Sequence, residues 1–191
     1  MLICENNSLL LLNFNLLAMK TNVYILIILF LFSCNKDNDK SLTELEKLPP
    51  VTQIGANKVG CLLDGVAFLP GNEPNSTNCF YQFDNGEYYF VMGFDRRNSD
   101  FVIIGLSVGT QKKQIQEGGI YSLVNVADNN AYGGYVYGTF GNSTNQINSG
   151  ELKITKLTST IVSGTFWYDV IDYQGNLHQI REGRFDMQYT N

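Results

Sequence analysis

The chain has 191 residues, a formal net charge of -5, 13% aromatic residues and 18 glycines. An acidic chain has no basic stripe for phosphate backbones, so nucleic acid is excluded as an expected partner. Frequent rings and glycines favour strands joined by tight turns over a helical bundle.

Residues 1–18 (MLICENNSLLLLNFNLLA) place acidic Glu5 and no basic residue ahead of their apolar run, which fits no export pattern. Met19-Lys20 does supply a positive start, followed by the apolar run Val23 to Phe32 and by Leu31-Phe32-Ser33-Cys34. This run is too short to span a bilayer. The stretch resembles a lipoprotein signal, with Phe32 bulkier than the usual residue there. Residues 1–33 are therefore read as a signal peptide whose translation starts at Met19. Cleavage before Cys34 leaves that cysteine to carry lipid and hold the protein on a membrane. About 158 residues remain from Cys34 onward, enough for one domain with its own core.

Residues 34–50 (CNKDNDKSLTELEKLPP) are polar, charged and closed by two prolines, and are read as anchor plus flexible tether. The β domain is placed at 51–191. It opens with Val59 to Leu63, the turn Asp64-Gly65 and Val66 to Leu69, a hairpin by its turn chemistry. Cys79 to Phe83, the turn Asp84-Asn85-Gly86 and Glu87 to Phe94 form a second. Further strands are expected at 101–108, 120–126, 132–140, 151–157, 160–171 and 177–189. Thr110 to Glu117 (TQKKQIQE) has one apolar residue and reads as a polar loop. The expected fold is all-β: an antiparallel meander of about nine or ten strands forming a barrel or a sandwich. In the strand 160–171, Thr165, Trp167, Asp169 and Ile171 share one face and Phe166, Tyr168 and Val170 the other. Both faces carry apolar bulk, so the inward one is undecided.

Chemistry is sparse. His178 is the single histidine, so no metal site with two His ligands can form within the chain and no metal or cofactor is expected. A Ser-His-Asp arrangement would have to use His178, and no Gly-x-Ser-x-Gly elbow is present. Asp169 and Asp172 adjoin the turn at 173–176, where acidic residues are common for turn reasons alone. No catalytic residue is named and the protein is read as not an enzyme. Arg184 and Asp186 are expected on one face of the last strand, with Arg181 and Gly183 on the other, as a charge network that orders the strand.

Cys61 and Cys79 lie on nearby strands of an exported chain and are expected to form a disulfide, contributing about 3 kcal/mol in the chain-entropy model. The alternative is two separate buried thiols. The aromatic set alone has a binding character: Tyr135, Tyr137, Trp167 and Tyr168 are the candidate ligand contacts, against the alternative of core packing.

Leu48-Pro-Pro, Thr52-Gln53, Gly55-Ala-Asn57, Gly60-Cys61, Asp64-Gly65 and Ala67-Phe-Leu-Pro70 resemble the opening of a family of uncharacterised Bacteroidetes-type lipoproteins. Gly150-Glu-Leu-Lys-Ile-Thr-Lys-Leu157, Ser163-Gly-Thr-Phe166 and Glu182-Gly-Arg-Phe-Asp186 resemble its far end. The resemblance implies an outer-membrane lipoprotein of the cell envelope and supplies no active site. The charges after Cys34 partly match the signal that sends such lipoproteins to the cell surface. The functional expectation is a non-catalytic binding or interaction module for a glycan or another envelope protein. The alternative is a lipocalin-like barrel carrying a small apolar ligand.

Overall fold

The computed structural model describes residues 41–190. Cys34, the export segment and the start of the tether lie outside the described residues. Among those described the protein is all-β, with no helix.

Turn chemistry sets the first two hairpins. β1 (Lys58–Leu63) and β2 (Val66–Phe68) are joined by Asp64 and Gly65, with φ of 53° and 82°. β3 (Thr77–Asp84) and β4 (Glu87–Arg97) are joined by Asn85 and Gly86, with φ of 49° and 88°. Two successive positive φ values match the twist of the flanking strands, which is why Asp-Gly and Asn-Gly stand there. The chain continues through β5 (Ile103–Gln111), β6 (Ile120–Leu123) and β7 (Asn130–Tyr137). Then follow β8 (Phe140–Ser143), β9 (Gly150–Leu157), β10 (Ile161–Ile171) and β11 (Leu177–Gln188). The extra strand relative to the expected nine or ten is β8. Gly138, at φ 63°, turns the expected strand 132–140 back on itself, so that Tyr137 pairs with Phe140.

The strands form one sheet in the order β2-β1-β11-β10-β9-β6-β7-β5-β4-β3, with β8 beside β7. Every pairing is antiparallel except β6 with β7, which meet in parallel at Leu123 and Ala131. A meander holds within β3-β4-β5 and β9-β10-β11, and β6 is inserted between β7 and β9. No ladder closes the sheet. A single parallel bridge, Phe80 to Thr190, ties edge strand β3 to the residues after β11, with Tyr81 N–H donating to Thr190 O at 3.1 Å.

The sheet curls around one core. On β10 the inward face is Phe166, Tyr168 and Val170, each nearly or wholly buried, which leaves Trp167 outside. The Tyr168 hydroxyl donates to the Gly134 carbonyl of β7 at 2.7 Å, across the core from its own strand. A Cβ on Gly133 would meet the Tyr168 ring at 2.7 Å, so the ring lies flush on the opposite backbone. The polar loop after β5 inserts its one apolar residue into this core: Ile115 is 1% exposed. The Tyr81 hydroxyl meets both the N–H and the carbonyl of Ile115 at 3.3 Å.

Two features depart from the simple alternation of a strand. On β11, Glu182 has φ 55°, and the register against both neighbours skips one residue there: Gly60 faces Arg184 but Leu62 faces Arg181, and Phe166 faces Gly183 but Tyr168 faces Ile180. This bulge inserts one residue and reverses side-chain parity. Arg181 is therefore not on the same face as Gly183, as strict alternation would have it. A Cβ on Gly183 would point at the inward Phe166 ring, at 2.5 Å, whereas Arg181 and Arg184 both face outward.

The second is the segment before β1. The compact unit begins at Leu42 rather than at 51. Thr43 N–H donates to the Glu46 carboxylate at 2.8 Å and Glu46 N–H to the Thr43 hydroxyl at 3.3 Å, a reciprocal cap. Glu44 accepts the Ala67 N–H at 2.8 Å, and Leu48 is buried. The end of the expected tether is thus a strap laid on the domain. Its far end is held by Asp186, which accepts from the Thr52 hydroxyl (2.6 Å), from the N–H groups of Ile54, Gly55 and Ala56 (3.0, 2.8 and 3.1 Å) and from the Ser163 hydroxyl (2.7 Å).

Candidate functional site

The four candidate contact rings do not form one strip. Tyr168 is fully buried in the core, and Tyr135 is 4% exposed, because β10 and β7 turn these side chains inward. Neither presents a face to solvent, so both are withdrawn as ligand contacts. Tyr137 is half-buried beside Tyr173, with ring centroids 6.5 Å apart, at the end of the sheet where Phe140 stacks on Tyr173 at 4.4 Å. Trp167 is 43% exposed on the outer face.

Around Trp167 the sheet builds a cavity of about 430 Å³. Cross-strand register places Glu151 of β9 opposite Trp167, and in the next row Thr165 opposite Arg184 of β11. The bulge at Glu182 turns Arg181 to the same face, with its guanidinium 5.5 Å from the centroid of the indole ring. That guanidinium is fixed from behind. It donates to Asp169 at 2.6 Å and to the Tyr168 and Ile180 carbonyls at 3.0 and 2.9 Å. Arg184 donates to the Glu182 carboxylate at 3.2 Å. Both arginines therefore carry their own counter-charge. The site is an aromatic platform among balanced charges, with Glu151 and Thr165 as further polar groups. Alternation along the strand set Trp167 on the face opposite Tyr168 without saying which face is outward, and the bulge that brings the two arginines beside it has no signature in the residue spacing.

The expected disulfide is not present: Cys61 and Cys79 are separate free thiols, both buried. β1 pairs with β2 and β11, while β3 pairs with β4 and touches Thr190, so the two cysteines are not on neighbouring strands. Burial pushes both thiols up to about 12, which leaves almost no thiolate for exchange near neutral pH.

His178 lies between two carboxylates. Its Nδ1 is 2.7 Å from Asp64 Oδ2 and its Nε2 is 3.4 Å from Asp172 Oδ2, and the Tyr135 ring stacks on it at 4.4 Å. Both ring nitrogens face carboxylates, and no serine or threonine hydroxyl among the described residues hydrogen-bonds either of them. Asp64 also accepts the Gln179 N–H at 2.8 Å, so the cluster ties the β1–β2 turn to the start of β11. Burial alone would raise the Asp172 carboxyl, but hydrogen bonds from Asn176, Gln174 and His178 outweigh it and hold the group at about 2. Among the described residues no group of three or more His, Cys, Asp or Glu side chains is placed to hold a metal ion.

No protein-family model, curated protein or solved structure matches this chain.

Proposed function

We propose that this protein is a non-catalytic binding module, held at the cell envelope by lipid on Cys34, whose contact surface is the outer face of β9, β10 and β11 around Trp167. The observation that carries the reading is the half-exposed indole in its cavity, with a guanidinium fixed over the ring and polar groups on the flanking strands. Rings that are exposed yet rigidly supported supply contact area at low entropic cost, and interfaces are enriched in Trp and Arg for that reason. A glycan that stacks on the ring, or an envelope protein that covers the face, is the partner class. The resemblance to Bacteroidetes-type lipoproteins and the segment ending in Ser33-Cys34 support the envelope location.

The alternative, a lipocalin-like barrel with an apolar ligand inside, finds little support. Phe68, Phe90, Phe166, Tyr168 and Phe185 fill the interior that such a ligand would need.

Trp167 is the single tryptophan, so its fluorescence reports this site alone. Titration with a panel of neutral and acidic oligosaccharides is expected to shift its emission saturably for one class, and Thr165→Arg to abolish the shift. If no sugar moves the emission, cross-linking from the Trp167 face on intact cells is expected to capture one envelope protein. Failure of both would remove the reading.

A further inference from the structure

We propose that the groove between the strap and the β1–β2 hairpin, which shares no lining residue with the Trp167 cavity, binds a single long-chain fatty acid with its carboxylate at Lys58. The groove encloses about 650 Å³, within the range of small-molecule sites. Its walls are Pro49, Pro50, Val59, Leu69 and Pro70. Thr52, Asn57 and Thr77 add polar groups to the lining. No aromatic ring is there for a sugar to stack on, and the three prolines offer no N–H to a peptide backbone, whereas a saturated hydrocarbon chain needs only the apolar wall.

The charge at the rim selects the headgroup. Lys47 and Lys58 both line the groove and no carboxylate does. Lys47 is already paired with Glu44, whereas Lys58, exposed at the start of β1, pairs with no carboxylate among the described residues. A largely apolar trough with an ammonium at its edge that makes no ion pair among the described residues fits an alkyl chain that ends in an anion.

The groove is also preformed. Glu44 fastens the strap to Ala67 at one end, and Asp186 fastens residues 52–56 at the other, so the wall is held open without a ligand to order it. Preorganisation of this kind removes the ordering cost from the binding step.

The test uses the full chain carrying Cys34→Ser, so that no lipid of its own competes. Palmitate and hexadecanol are titrated by calorimetry. Palmitate is expected to saturate at one site per chain, with hexadecanol weaker by about tenfold because it lacks the anion. Lys58→Gln, an exposed substitution, is expected to bring palmitate down to the level of hexadecanol and to leave hexadecanol unchanged. Leu69→Asp is expected to lose both ligands. Palmitate binding that does not saturate, or that is the same in the Lys58→Gln chain, overturns the proposal. Should Leu69→Asp fail to fold, the Lys58→Gln comparison decides alone.

Discussion

Gly55 donates its backbone N–H to Asp186 Oδ1 at 2.8 Å, joining the strap that precedes the first strand to the end of the last one. Asp186 is only 2% exposed and satisfies five donors. Burial works to raise its carboxyl. The Thr52 and Ser163 hydroxyls and the Ala56 and Gly55 N–H groups outweigh burial and hold it far below the usual carboxylate range. Asp186→Asn should cost about 3 kcal/mol, because the amide turns one acceptor oxygen into a donor that faces donors. A depressed carboxyl contributes stability that is fully present above the unfolded value near 4 and is lost as the pH falls toward the native value. Urea unfolding of the wild type is therefore expected to weaken steadily below about pH 4, and the Asn variant to start lower and fall less over the same interval. Equal acid sensitivity in the two proteins would assign the effect to other carboxylates.

Much of the architecture was legible because alternation and turn chemistry are local. Asp64-Gly65 and Asn85-Gly86 place two hairpins by backbone preference alone. What escaped was non-local. Residues 35–50 read as tether because charge and proline argue against a core, yet Glu44 and Leu48 find partners on the folded domain. Asp186 looked like a partner for Arg184 from their spacing, but four of its five donors come from 130 to 134 residues upstream, a match no local window can contain. Trp167 could be placed opposite Tyr168 but not assigned to solvent, since both faces of β10 are aromatic or branched. The inward choice was made by Gly133, which leaves room for one ring and has no period to announce it.

The contact between Gly133 and Tyr168 gives a test of the core. Gly133→Ala adds a methyl 2.7 Å from the ring and should cost between about 1 and 3 kcal/mol as overpacking. Tyr168→Phe keeps the ring and loses the bond to Gly134 O, for about 1 kcal/mol. Tyr168→Ala removes the ring atoms that the methyl strikes, so combining it with Gly133→Ala should cost less than the sum of the single changes. Strict additivity in denaturation measurements would mean the two residues do not share the contact.

Free thiols predict a labelling pattern. In the native protein neither Cys61 nor Cys79 should react with iodoacetamide at mildly alkaline pH, since burial excludes the reagent and holds both groups protonated. After unfolding in denaturant without reductant, both should label fully and appear as two alkylated peptides by mass. A pair that labels only after reduction would restore the bridge.

The anchor is tested at Cys34. The proposed function places membrane retention on lipid at Cys34; among the described residues no helix is long and apolar enough to cross a membrane. A single acyl chain binds membranes only marginally, and stable residence needs two or more chains on the same cysteine. Cys34→Ser should therefore move the protein from the membrane to the soluble fraction, whereas a change in the strap such as Lys47→Gln should not. Labelled palmitate should be incorporated by the wild type and not by the Ser variant. If the variant stays membrane-bound, attachment does not run through lipid on Cys34, and the proposed contact face around Trp167 becomes the first place to look for it.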